Sequence, residues 1–280
     1  MAPTATSMRQ DEQTPPPRSP WRGLALRVGG VATPWIGVVL IWYLIPTTRL
    51  VSPKLVPTPI DVVEKFWELL TRGSLPTDIV VSSLRVFVGV ALGSIFALPV
   101  GFLLGWYRSA RRFADPLVNF FRALPPIALI PLVIVYFGIG EIAKIAVLFY
   151  ASFFASVIVM YEGIVQISPI YIKVARTLGA ADDEIFLRVI VPLTVPHVLT
   201  ALRVSLGVAW ATLVAAELIA AHRGLGALIE NASSFFQLNT IYVGIICIGL
   251  IALFMDSVLR RIAASPSYSR HIRDSLAGMV

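Results

Sequence analysis

Long apolar runs, broken by short polar ones, occupy most of this chain. They fall at about 30–46, 80–106, 116–138, 142–163, 198–220 and 240–260. A helix crossing the bilayer core needs ~20 mostly apolar residues, and in lipid a helix satisfies its own backbone hydrogen bonds. The pattern therefore predicts an all-α integral membrane protein with about six transmembrane helices.

Two stretches between the runs keep a helical period of their own. After Pro57-Thr58-Pro59, Asp61 starts a segment in which Val63, Phe66, Trp67 and Leu70 recur at three- and four-residue spacing among Glu64, Lys65 and Glu68. This predicts an amphipathic helix lying in the membrane interface, as an anchor or a platform near the outer mouth. The second stretch, about 166–196, separates the fourth and fifth runs. Ile170, Tyr171, Val174, Ala175 and Leu178 form one apolar stripe, and Ile185, Phe186, Val189 and Ile190 form another. Gly179 suits the positive φ that ends a helix. Asp182, Asp183 and Glu184 suit the first turn of the next, where the helix dipole favours anions. Pro192 and Pro196 are expected to stop or bend that second helix before the fifth span. The product is two short helices and a hinge, of a size to sit in a groove on a partner.

Composition agrees with the pattern. Apolar residues make up 57% and charged residues 14%, mean hydropathy is +0.81, and soluble domains carry about 25% charged residues. Residues 1–28 read as a disordered cytoplasmic tail with Pro15-Pro16-Pro17, and 263–280 as a cytoplasmic C-terminal tail, flanking a transmembrane body at 29–262. Arg22, Arg27, Arg108, Arg111, Arg112, Lys173, Arg176, Arg188, Arg260, Arg261, Arg270 and Arg273 fall on one side of the membrane. Arg49, Lys54, Lys65, Arg72 and Arg223 fall on the other. The bias predicts both termini, and the 166–196 segment, in the cytoplasm. The net charge of +7 is largely this bias beside anionic lipid. The single cysteine, Cys247, and the scattered His197, His222 and His271 give no metal-ligand spacing, and no GxxxxGK[ST] phosphate loop occurs.

The polar segment carries a resemblance. Lys173-Val174-Ala175, then Gly179, then Val189-Ile190-Val191-Pro192 resembles the coupling loop of permeases from binding-protein-dependent ABC importers, E-A-A, three residues, Gly, nine residues, I-x-L-P. Lys173 stands where the motif has glutamate. Phe121 through Leu132, Tyr136 through Glu141, Ala209-Trp210 through Ala216-Glu217, and Gly224-Leu225-Gly226 resemble runs of the sulfonate, taurine and nitrate branch of that family. The resemblance covers about residues 55–262. It implies a permease in the cell inner membrane, working with a second permease subunit (a copy of itself being the simpler arrangement), two ATP-binding subunits and an extracytoplasmic solute-binding protein. It implies a small-anion cargo, no enzyme activity in this chain, and no cofactor bound here, ATP and Mg belonging to the partner ATPase. The residues expected to meet that ATPase are Ala175, Thr177, Leu178, Gly179, Ala180 and Asp183, with Pro192 closing the motif.

Within the spans, Glu217 is the sharpest candidate, because a carboxylate deep in a bilayer costs about 2.5–3.5 kcal/mol on insertion scales. It lines or gates a path with Trp210 two turns earlier, or is solvated near the outer end, or pairs with a base such as Arg85 or Arg122. Arg122 snorkels to the interface or serves an anion in the path. Pro125, Pro126 and Pro131 bend the third span, as a wall of the path or for packing. Gly89, Gly93, Gly101 and Gly105 form a small-residue stripe for close helix packing, within one subunit or between two.

Three other classes fit less well. A stand-alone secondary transporter or channel, the main alternative, calls for paired intramembrane charges or inverted repeats. A membrane enzyme calls for a clustered His, Asp or Ser constellation. A DNA-reading helix-turn-helix around Ala175 and Gly179 would point Asp182, Asp183 and Glu184 at phosphate, so nucleic acid is not an expected partner.

Overall fold

The structure, a computed structural model, describes residues 20–48 and 55–263, with side chains from 33 onward within those limits. The chain divides into two units, Met1–Pro59 and Ile60–Val280. In the first, α1 runs Pro20–Thr47 through Pro34 and Pro46, and the Trp42 indole N–H donates to the Pro57 carbonyl at 3.0 Å. Helix α1 begins inside the expected 1–28 tail; residues 1–19 and the expected tail beyond Ala263 lie outside the described residues.

The second unit holds α2 (Pro59–Arg72), α3 (Leu75–Trp106), α4 (Arg108–Ala123), α5 (Pro126–Phe137), α6 (Glu141–Val165), α7 (Pro169–Thr177), α8 (Asp182–Ile185), α9 (Val191–Ala220), α10 (Leu225–Ser234) and α11 (Leu238–Ala263). Among the described residues, four helical stretches are long and apolar enough to cross a membrane: Leu75–Trp106, Glu141–Val165, Asp182–Ala220 and Leu238–Ala263. The run at 30–46 falls on a shorter apolar stretch, Thr33–Thr47.

The run at 116–138 is not one straight helix. It is split between α4 and α5, which meet at 91°. Pro126 cannot donate a backbone bond and excludes the helical conformation from the residue before it; Pro125 accordingly sits at φ −61°, ψ 125°. Helix α4 buries none of its residues. Its Arg111 donates to the carbonyls of Leu104 (3.2 Å) and Gly105 (2.9 Å), meeting the unpaired C-terminal end of α3. The same guanidinium lies 5.1 Å from the centre of the Tyr161 ring.

The core is the contact of α3 with α6, and the glycine stripe makes it. A Cβ on Gly93 would lie 2.6 Å from Ser152 Cβ, one on Gly101 2.6 Å from Met160 Cβ, and one on Gly105 2.6 Å from Ile164 Cβ; Gly89 meets Leu148 in the same way. The α6 partners advance in step with the glycines, so the two helices run parallel with backbones close together. This places the stripe within one subunit. Helix α9 runs antiparallel to both, and a buried serine chain ties the three. Ser94 and Ser156 hydroxyls are 3.0 Å apart, Ser156 and Ser205 2.6 Å, and Ser205 donates to the Ser152 carbonyl at 3.1 Å.

Past Gly179 the chain departs from the expected stop at Pro192. Asp182–Ala220 is continuous, through one π turn at Phe186–Ile190. Val191 N–H reaches back five residues to the Phe186 carbonyl, and the widened turn seats Pro192 in the first turn of α9, where a missing N–H costs little. Pro196 is likewise carried inside α9.

Candidate functional site

Two places combine unusual chemistry with defined geometry, one at each end of the bundle. The first is built on α3, where Asp78, Ser82 and Arg85 recur at helical spacing on one face, all buried. Arg85 is 5% exposed and Glu217 of α9 is 1% exposed. The guanidinium donates through Nη1 to Glu217 Oε1 at 2.6 Å and to the Arg223 carbonyl at 2.7 Å. Through Nε and Nη2 it forks onto both oxygens of Glu141, at 2.6 and 2.5 Å. Lys144, one turn along α6, adds a contact to Glu141 Oε1 at 3.0 Å.

Neutral donors, as well as the cation of Arg85, hold Glu217. Ser82 Oγ donates to it at 2.8–2.9 Å, and the Gly226 N–H donates to Oε2 at 2.8 Å. The Leu225 N–H bonds Ser82 Oγ (2.8 Å) and the Gly224 N–H bonds Asp78 Oδ1 (2.9 Å). These N–H groups open α10, and its unpaired donors and positive dipole end thus point at two buried carboxylates. Gly224 has φ +126°, and a Cβ there would run into the Glu217 carboxylate; only glycine lets the backbone come this near. Beside the cluster a cleft of about 620 Å³ is lined by Arg85, Glu141, Lys144, His222 and Arg223 on its polar side, and by Val81, Leu84, Val88 and Ile145 among its apolar walls.

Of the residues expected in a path, Glu217 and Trp210 are buried within the chain. Glu217 pairs with Arg85, not with Arg122, which is exposed at the end of α4. The expected alternative of a solvated Glu217 does not fit its burial. Pro125 and Pro126 form the α4–α5 corner. Asp78, Ser82 and Lys144 are not among the residues expected at a site, and Glu141 figures there only as the end of the Tyr136–Glu141 run. The i, i+4, i+7 spacing of Asp78, Ser82 and Arg85 in an apolar run was the available signal.

The second place is the Gly179 end. Gly179 has φ +85° and nothing within 4 Å of where a Cβ would stand. Its N–H bonds the Arg176 carbonyl (3.0 Å) and the Ala180 N–H bonds that of Ala175 (3.0 Å), closing α7. Glu184 returns to the Ala181 N–H (3.3 Å), and Arg176 pairs with Asp182 at 2.9 Å across the hinge. Beyond it Ile185, Val189 and Ile190 are buried, whereas Ile170, Tyr171 and Val174 of α7, and Leu178 just past its end, are exposed. Phe186 packs edge-on to Phe102 and tilted against Trp106 (centroids 5.6 and 5.9 Å), fastening the segment to the end of α3. Ala175, Thr177, Ala180 and Asp183 are exposed or half-exposed near the hinge.

An all-helical bundle of long apolar helices, pinned at one end by buried charges and carrying a hinged polar segment at the other, defines a multi-pass membrane protein. Residues 89–267 match the binding-protein-dependent transport system inner membrane component family, and the chain belongs to it. The family is one of transport permeases. It is 49% identical over 219 residues to a Brucella melitensis protein described as a probable ABC transporter permease, covering 78% of this chain and 88% of that one. The taurine transport system permease of Escherichia coli K12 is 33% identical, covering 85% and 87%. The bicarbonate transport system permease of Synechococcus elongatus is 29% identical, covering 90% and 94%. In fold, the chain resembles one from an inward facing structure of the MetNI methionine ABC transporter, with TM-score 0.58, 20% identity, and coverage of 72% and 95%.

Proposed function

We propose that this chain forms the translocation path of an ATP-driven importer for a small anion of the sulfonate, taurine or bicarbonate kind, delivered by an extracytoplasmic binding protein. The carrying observation is the exposed apolar face of α7 beside the positive-φ hinge at Gly179. Ile170, Tyr171, Val174 and Leu178 form a surface fit for a groove on a partner. In this reading Ala175, Thr177, Leu178, Gly179, Ala180 and Asp183 meet the ATPase, and Pro192 sets the entry to α9. ATP and Mg act on the ATPase, two copies of which serve two permease subunits, the second being a copy of this chain. The names of the taurine and bicarbonate relatives support the anion class.

The membrane arrangement follows from the same reading: six crossings in the inner membrane, α4–α5 counting as one and α1 as the first, with both termini and the Gly179 hinge in the cytoplasm. The Lys and Arg bias supports this orientation. The continuous helix from Asp182 to Ala220 then makes a rigid lever between the ATPase contact and the buried charge cluster at the outer end.

The test is ATPase activity of the complex purified through this chain. Hydrolysis that co-purifies, and loses its response to cargo when Gly179 is replaced by valine with the complex still assembled, supports the reading. No ATPase subunit under mild detergent turns the assignment toward a stand-alone transporter.

A further inference from the structure

The cleft beside Arg85 holds more donor capacity than the chain consumes. Lys144 is 5% exposed, yet among the described residues its ammonium has one hydrogen-bond partner, Glu141 Oε1 at 3.0 Å, for three N–H donors. An under-satisfied buried cation in a membrane protein is costly. Arg85 is held from behind by the fully engaged Glu217 and turns its Nε–Nη2 edge outward. That edge and Lys144 converge on Glu141, whose side chain is 57% exposed. Besides the Arg85–Glu217 pair, the two buried cations thus meet at one carboxylate, exposed on one side, at the wall of a cleft of about 620 Å³, a size that suits a small organic molecule.

We propose that this cleft is an anion-binding site and that Glu141 occupies the place of the ligand's headgroup when the site is empty. A sulfonate or carboxylate would take two oxygens to the Arg85 fork, which matches planar and tetrahedral oxyanions, and a third contact to Lys144. Val81, Leu84, Val88 and Ile145 would receive a short apolar tail. Glu141, at the first position of α6 and exposed on one side, can exchange its contacts to Arg85 and Lys144 for those of an incoming anion and turn to solvent; Glu217 has no such exit, because it is buried and held by Arg85, Ser82 and the Gly226 N–H. Glu217 is a positioning residue for Arg85. The biological use of the site, as a station for cargo, rests on the importer reading above, but the site itself does not.

The experiment uses the purified chain, with whatever subunits accompany it, in phosphatidylcholine nanodiscs. Butane-1-sulfonate is titrated by calorimetry against a neutral sulfone of the same length. Saturable binding of the sulfonate alone is expected, weakened about tenfold or more by Lys144→Met, a loss of about 1.4 kcal/mol or more. Lys144→Arg should keep most of it. Glu141→Gln, which removes the competing carboxylate charge, should tighten binding severalfold, a gain that a damaged fold would not produce. Sulfonate binding indifferent to Lys144→Met, or weakened by Glu141→Gln, overturns the proposal. Repeating the titration in phosphatidylglycerol separates the two sources of such an anion. If the site engages only the lipid headgroup, so that sulfonate never binds, a soluble ligand is excluded and the proposal fails. ATPase activity is scored in the same preparations: its absence counts against the importer reading alone, while the titrations still decide the site.

Discussion

Arg85 and Glu217, 132 positions apart in the chain, meet at 2.6 Å with both side chains almost wholly buried. The pair joins α3 to α9, and through the Gly226 N–H it also holds the start of α10. Removing one partner of such a pair leaves the other as an uncompensated buried charge, which costs about 3–5 kcal/mol. Glu217→Ala is expected to lower the melting temperature of the detergent-solubilised protein steeply. The double variant Arg85→Met, Glu217→Leu should lose less than the two single variants combined. A Glu217→Ala protein that melts with the wild type would show that the pair is not holding that end of the bundle together.

The α3–α6 seam should tolerate no side chain at Gly93. Its Cβ would meet Phe153 N at 2.8 Å as well as Ser152 Cβ, and backbone does not yield as a flexible side chain does. Gly93→Ala is expected to destabilise by ~1–3 kcal/mol through overpacking. Gly207, in the interior of α9 with open space around it, is the control. There alanine should be neutral or stabilising by up to ~1 kcal/mol, since helical glycine is the weaker choice. Equal melting temperatures for the two variants would mean that the helices are not packed backbone to backbone at Gly93.

At Gly179 the constraint is conformational, not steric, because its φ is +85° with empty surroundings. Asparagine visits that region far more readily than a β-branched residue does. Gly179→Asn should therefore retain most cargo-stimulated ATPase activity of the complex, and Gly179→Val should lose most of it. Similar activity in the two variants would point to the side-chain surface, and not the hinge, as the sensitive element.

Phe186 links the hinge segment to α3 through Phe102 and Trp106. Phe186→Ala should leave the complex assembled, since α7 is untouched, but reduce uptake per ATP hydrolysed. Phe186→Leu, which keeps apolar bulk without the ring contacts, should fall between. Unchanged uptake per ATP in Phe186→Ala would assign the mechanical link to another contact.

Much of this was legible in one dimension. Runs of about 20 apolar residues set the helices that span, because lipid leaves the backbone no other local solution. The hinge at Gly179 was readable from a glycine between two apolar stripes, followed by three acids. What failed was continuity. Pro125-Pro126 and Pro192 look alike as helix breakers, yet the first makes a 91° corner and the second is absorbed. The difference lies in the turn before each: a proline preceded by another proline forces extended backbone, whereas the π turn at Phe186–Ile190 makes room for a ring in the first turn of the next helix.

The charges divide the same way. Glu217 stood out because a carboxylate among apolar residues needs a partner, and that follows from sequence by energy alone. Which partner, and whether Glu217 faces solvent, depended on α3 and α9 crossing so that Arg85 arrives from one side and the N–H groups of Gly224 and Gly226 from another. Asp78, Glu141 and Lys144 sit at the edges of apolar runs, where a sequence permits them to be solvated. A helical membrane protein with a hinged polar segment could be read from the chain alone, since burial in lipid and backbone hydrogen bonding act over one turn or one span; the permease class came from the resemblance of its motifs. Which charges share a site was settled by the packing of the helices, because Coulomb attraction and hydrogen bonding act over a few ångströms, whereas the chain separates Arg85 from Glu141 by 56 positions and from Glu217 by 132.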